Sequence, residues 1–66
     1  MEKKIKVIEK IMGIFEVLAD RGKEGCSVSE IAKKLNLKLT TTHSLVSTLF
    51  SLGYLEKDIQ TKKYKI

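Results

Sequence analysis

The stretch from residue 27 to residue 49, SVSEIAKKLNLKLTTTHSLVSTL, decides how this chain folds. Ser27 followed three residues later by Glu30 is the capping-box pattern of a helix start. We predict that this helix covers residues 28–35, with its apolar residues at helical spacing. Asn36 then ends it, because asparagine tolerates the left-handed conformation that terminates helices.

A second helix, predicted over about residues 39–52, follows a turn of only three residues in which Leu37 is expected to anchor in the core. At 100° per residue, one side gathers five residues that would face the core, namely Thr42, Leu45, Val46, Leu49 and Leu52. We expect the Thr42 hydroxyl to bond back to a carbonyl. The opposite side carries short hydrogen-bonding side chains, at Thr40, His43, Ser44, Ser47 and Ser51.

The segments on either side complete a small domain. Apolar residues at helical spacing predict helix 1 over about residues 2–20. After Gly53, alternation on both sides of a polar tip predicts a hairpin over residues 54–66, with Cys26 as a possible third strand. Tyr54 and Tyr64 are expected to pack as cross-strand partners.

Helix 1 has an apolar stripe wider than a small domain needs. One set of residues is expected to face the core: Ile5, Ile8, Ile11, Met12, Phe15, Leu18 and Ala19. A second set lies beside it: Val7, Ile11, Ile14 and Leu18. We expect Val7, Ile11 and Ile14 to form a dimer interface; the alternative is that they pad the flank of the core.

The composition indicates one compact domain whose charge is unevenly distributed. Its 66 residues are 42% apolar and 32% charged, with no proline, and so short a chain has little room for an enclosed substrate pocket. The net charge is +5, yet residues 1–32 carry six basic and six acidic residues, whereas residues 33–66 carry seven lysines and two acidic residues. The second half therefore presents either a solvated lysine surface or a footprint for a polyanion.

Several classes of function are disfavoured. A single cysteine allows no internal disulfide, and no Cys/His cluster has zinc spacing, so we expect no metal, no cofactor and a reducing, cytoplasmic location. The N-terminus lacks the uninterrupted apolar run of a signal peptide, and no stretch is long enough to span a membrane. His43 has no carboxylate at matching helical spacing to orient it, and no nucleotide-binding motif is present, which argues against an enzyme.

The predicted order of elements is that of a mainly α chain with a small β-hairpin (α+β), a three-helix winged helix-turn-helix. Such a second helix fits the DNA major groove and reads bases with residues near its N-terminus. We expect base contacts from Thr40, Thr41, His43, Ser44 and Ser47, and phosphate contacts from Lys38, Lys62, Lys63 and Lys65. Ser27 is expected to act chiefly as a cap, and it could also reach the backbone of double-stranded DNA.

Two other readings remain open. A winged helix can act as a protein-interaction module without binding DNA, and the same basic face could take RNA or an unusual duplex geometry.

Three parts of the sequence are informative together: SVSEIAKKLNL at residues 27–37, the TTTH run at 40–43, and the hairpin with LGYLEKD at 52–58 and TKKYKI at 61–66. They resemble the N-terminal DNA-binding domain of IclR-family bacterial transcriptional regulators. The resemblance implies a winged helix that forms a dimer and places the second helix of its helix-turn-helix in the DNA major groove. The chain departs from the family at several positions. The family usually has Arg at the position of Ser44 and Pro-Lys at the positions of Lys38 and Leu39. It favours Pro and Gly at the positions of Ile59 and Lys62. Its members continue into an effector-binding domain to which nothing here corresponds, so no small-molecule effector site is expected in this chain.

Overall fold

The computed structural model describes residues 6–66 and has the predicted fold class. Its elements, in chain order, are α1 (Lys6–Arg21), a 3-10 turn (Gly22–Glu24), α2 (Val28–Leu35), α3 (Leu39–Ser51), β1 (Glu56–Lys57) and β2 (Tyr64–Lys65). Residues 2–5 of the predicted first helix lie outside the described residues. Three helices and an antiparallel hairpin thus form a winged helix-turn-helix.

The core lies where the three helices and the hairpin meet. Its fully or almost fully buried residues are Ile14, Leu18, Cys26, Ile31, Ala32, Thr42, Val46, Leu49, Leu55 and Tyr64. Gly13 allows α1 and α2 to approach closely, because a Cβ there would lie 3.1 Å from a methyl carbon of Leu35. The three helices, Cys26, Leu55 and β2 therefore share one small core.

The turn between α2 and α3 is closed by backbone hydrogen bonds. Asn36 adopts the left-handed conformation, with φ 57° and ψ 47°. This lets the N–H of Leu37 donate to the carbonyl of Ala32 at 2.9 Å, as in a Schellman motif. Leu37 itself is only half buried and lies outside the core cluster, so the predicted anchor is wrong: the turn is held by its backbone.

The hairpin, or wing, is joined to the helices through β2. Glu56 pairs with Lys65 and Lys57 with Tyr64, while Cys26 bridges to the other edge of β2 through hydrogen bonds of 2.8 and 2.9 Å with Tyr64. At the tip, an Asp58 carboxylate oxygen accepts from the N–H groups of Gln60 and Thr61. The segment before α2 thus forms a single β-bridge with the wing, and the sheet itself has two strands.

Lys62 completes the wing tip with a positive φ of 62°. Glycine, which the resemblance leads us to expect here, adopts such a φ without a steric cost. The tip keeps its turn with lysine in this position, and its N–H donates to the Asp58 carbonyl at 2.7 Å.

Only part of the predicted assignment of helix 1 agrees with the structure, in which Leu18 is buried as expected but Ala19, also predicted to face the core, is exposed. Ile14 is 0% exposed and lies in the core, so its assignment to a dimer interface is wrong, because no surface of it is left for a second chain. Ile8 and Met12, predicted to face the core, are each more than half exposed. Both sets of residues are apolar and adjacent on the helix, so periodicity alone does not distinguish which one α2 and α3 cover.

Two further expectations differ from the structure at the end of α3. The helix ends at Ser51, and Leu52 caps it with a side chain that is 65% exposed instead of facing the core. Tyr54 lies outside the strands and meets Phe15 edge-on at 6.5 Å between ring centres. Tyr64 packs instead against Phe50 at 6.0 Å, so the two tyrosines are not cross-strand partners.

No helix within residues 6–66 is long and apolar enough to cross a membrane.

Gly25 gives a direct test of how the wing is attached. Its φ of 73° and ψ of −173° are almost exclusive to glycine, and a Cβ there would lie 2.6 Å from the Tyr64 carbonyl oxygen. We expect Gly25→Ala to lower the free energy of unfolding by about 3 kcal/mol or more, from backbone strain plus the clash. Urea unfolding followed by circular dichroism measures it.

Gly22→Ala is the matched control, because Gly22 also has a positive φ but has no atom within 4 Å of its Cβ position. It should cost only about 1 kcal/mol. Equal losses in the two variants would contradict the close approach of residue 25 to β2.

Candidate nucleic-acid interface

A shallow hollow of about 490 Å³ lies between the start of α2 and the first turns of α3. Its lining residues are Val28, Ser29, Leu39, Thr40, His43 and Ser44. Three of the predicted base-contacting residues are therefore brought together here, and all three are exposed: Thr40, His43 and Ser44. The other two, Thr41 and Ser47, are half buried at the edges of this face.

The inner side of α3 explains why this polar face points outward. Thr42 is fully buried, and its hydroxyl donates to the Lys38 carbonyl at 2.9 Å. Val46 and Leu49 continue the buried side one and two turns later. With this side fixed against α1 and α2, the side chains on the opposite side of α3 face solvent. The three-threonine run is thus divided, with Thr42 inside as predicted, Thr40 exposed and Thr41 half buried.

The start of α2 is held by a capping box. The Glu30 N–H donates to the Ser27 hydroxyl at 3.2 Å, and the Ser27 N–H donates to the Glu30 carboxylate at 3.1 Å. This backbone hydrogen bond lowers the pKa of the Glu30 carboxyl, and the positive charges of Arg21 and Lys63 act in the same direction. The Ser27 side chain is therefore engaged as a cap, as predicted.

Arg21 ties this cap to the end of α1. Its guanidinium lies 3.4 Å from a Glu30 carboxylate oxygen, and its Nε donates to the Gly25 carbonyl at 3.2 Å. Cys26 lies beside the same group, and burial raises the pKa of its thiol above the usual range, with the nearby Glu30 charge adding to the effect. These contacts fix the loop before α2 between the end of α1 and the start of α2.

The predicted phosphate-contacting lysines are placed differently from one another. Lys38 is exposed at the N-cap of α3 and directly precedes Leu39, which lines the hollow. Lys62 is exposed at the wing tip. The Lys63 Cβ lies next to Gly25, close to the start of α2. Lys65 lines a second, smaller depression with Ala19 of α1 and Lys23 of the 3-10 turn, among others. The structure therefore places Lys38 and Lys63 near the starts of α3 and α2, Lys62 at the wing tip, and Lys65 in the second depression.

Sequence reasoning missed three residues of the hollow: Val28, Ser29 and Leu39. They come together only because α2 and α3 pack against each other across the turn, which periodicity along one helix does not reveal. The sequence did contain one indication of Leu39. It is an apolar residue at the first position of the predicted helix, and it belongs to neither the core-facing nor the polar set of residues described above.

The described part of the chain contains no group of three or more histidine, cysteine or acidic residues arranged to hold a metal ion. The side chains around the hollow are hydroxyls, an imidazole and aliphatic groups. Such groups donate and accept hydrogen bonds and make apolar contacts, which are the two kinds of contact that read base edges.

The fold and this surface together define a winged helix-turn-helix of the DNA-binding class. Residues 7–58, which are most of the chain, match the family described as the IclR helix-turn-helix domain. The chain therefore belongs to that family and is a DNA-binding transcription-regulator domain. The match includes most of helix 1 and ends before β2. Comparisons with curated proteins and with solved structures found no match.

Proposed function

We propose that the chain binds specific sequences of double-stranded DNA as a dimer, and that it does so in the cytoplasm as a regulator of transcription. The observation that carries this proposal is the exposed polar face of α3, whose Thr40, His43 and Ser44 surround the hollow beside the start of α2. Short donors and acceptors on the first turns of such a helix suit the edges of bases in the major groove.

Phosphate contacts would position this face on the duplex. No side chain of residues 6–66 caps the start of α3, which leaves its first N–H groups free for an anion. Lys38 at that point and Lys62 and Lys63 on the wing would contact phosphates, and Lys65 would act at longer range. These contacts set orientation and carry no sequence information.

The base-reading role is tested with the double variant Thr40→Ala/His43→Ala. A preferred duplex is first selected from a random pool with the wild-type chain, and affinities for it and for a random duplex are measured by fluorescence anisotropy. We expect the variant to lose at least about tenfold in preference for the selected duplex, since each good base contact discriminates by about 1–3 kcal/mol. Binding to the random duplex should stay nearly the same.

Ser51→Ala is the control for this test, because Ser51 is an exposed serine at the far end of the same helix. It should keep the wild-type preference. If the double variant instead weakens binding to both duplexes equally, these residues do not read bases.

The dimer would form through the exposed apolar side of α1. Val7, Ile8 and Met12 are each more than half exposed, and Ile11 and Phe15 beside them are half buried. Tyr54, 60% exposed, extends this surface through its contact with Phe15. Contiguous apolar surface of this kind marks sites of association, and a two-fold axis through α1 would present two copies of α3 to two half-sites about one helical turn, or a small multiple of it, apart.

Met12→Glu tests this interface. Because the Met12 side chain is largely exposed in the single chain, the helix should persist, while burying the new carboxylate between two chains would be unfavourable. We expect sedimentation equilibrium to show a dimer for the wild type and a monomer for the variant. Ile59→Glu at the wing tip, 85% exposed, should remain dimeric. A wild type that stays monomeric, or a dimeric Met12→Glu variant, would contradict the proposed interface.

A protein-interaction module remains the second candidate, and the same apolar surface of α1 favours it. In that case the partner would be a different protein, and the basic surface around α3 would have no measurable affinity for DNA.

A further inference from the structure

Leu39 differs from the other apolar residue of the hollow because its side chain does not pack against the core. It is the first residue of α3 and is 54% exposed. It belongs neither to the core cluster nor to the partly buried apolar residues that pack against it. An exposed leucine at this point stabilises the fold little, so its contribution should be sought in what α3 binds.

The surroundings of Leu39 combine apolar and hydrogen-bonding groups in one small space. Val28, at the first turn of α2, supplies a second aliphatic side chain to the hollow. Thr40 and His43 supply donors and acceptors next to it. No lining residue is acidic, and Lys38 directly precedes Leu39, so the charge around the hollow suits a ligand embedded in phosphates.

In the major groove, thymine is the base that presents an apolar group, a methyl, beside its hydrogen-bonding atoms. Thymine presents its C5-methyl next to an acceptor oxygen, and cytosine presents a donor without that methyl. A surface that reads thymine therefore needs an aliphatic side chain adjacent to hydrogen-bonding ones. The hollow has this composition on the turns of α3 that enter the groove in a helix-turn-helix.

We propose that Leu39, with Val28 behind it, contacts the C5-methyl group of thymine and so selects thymine at one position of each half-site. This inference rests on the proposed function, since it names one of the bases that the same surface reads. Leu39 would be a specificity-determining residue, whose contact depends on a methyl group and involves no hydrogen bond.

The test replaces thymine by deoxyuridine, which lacks only the methyl group and keeps every hydrogen-bonding atom. A duplex is selected from a random pool with the full chain, and each of its thymines is then changed to deoxyuridine in turn. For the wild type, one position per half-site should lose about fourfold in affinity, as expected for the burial of a single methyl group.

Leu39→Ala should abolish that discrimination, so that the thymine and deoxyuridine duplexes bind with a ratio of about one at that position. Leu52→Ala is the matched control: Leu52 is also a largely exposed leucine, at the opposite end of α3, and the variant should keep the fourfold ratio. Both substitutions are at the surface, so neither should change the thermal melting curve much.

The outcomes separate this inference from the proposed function. A selection that enriches no sequence overturns sequence-specific binding and the inference with it. A selected duplex whose thymines all tolerate deoxyuridine overturns the inference alone. It is also overturned if Leu39→Ala keeps the thymine preference, or if it weakens the thymine and deoxyuridine duplexes equally.

Discussion

The left-handed turn at Asn36 is the constraint on which the rest of this structure depends. It ends α2 after eight residues and lets the Leu37 N–H return to the carbonyl of Ala32. Only two residues then separate it from α3, so the angle between the helices is set by backbone hydrogen bonds. Because α3 must also bury Thr42, Val46 and Leu49, both its direction and its rotation are fixed. The polar face and the hollow follow from these two conditions.

Local signals in the sequence were enough to predict the helix-turn-helix. The Ser27 and Glu30 capping box, the asparagine after α2 and the glycine after α3 each act within a few residues of where they lie, so each can be recognised without the fold. The inward position of Thr42 followed in the same way, since helical spacing alone places it between core residues. The family resemblance rests on the same segments.

The faces of helix 1 could not be predicted, because they depend on packing between elements distant in sequence. Its apolar stripe is broad enough for two adjacent faces, and only the positions of α2, α3 and the wing decide that Ile14 is covered and Met12 is not. The hollow was missed for the same reason, since Val28 and Leu39 line it from two different helices. In both cases the information lies in tertiary contacts.

The central claim is that the surface formed by α3 and the wing binds duplex DNA. Fluorescence anisotropy of a labelled random duplex across a salt series tests it most directly. The wild type is compared with Lys63→Ala and with Lys23→Ala, which replaces a lysine in the 3-10 turn after α1. We predict micromolar binding whose log–log salt slope is about 0.9 per phosphate contact and falls by about one unit in Lys63→Ala only. Absence of binding at low salt, or binding that does not respond to salt, would contradict the claim.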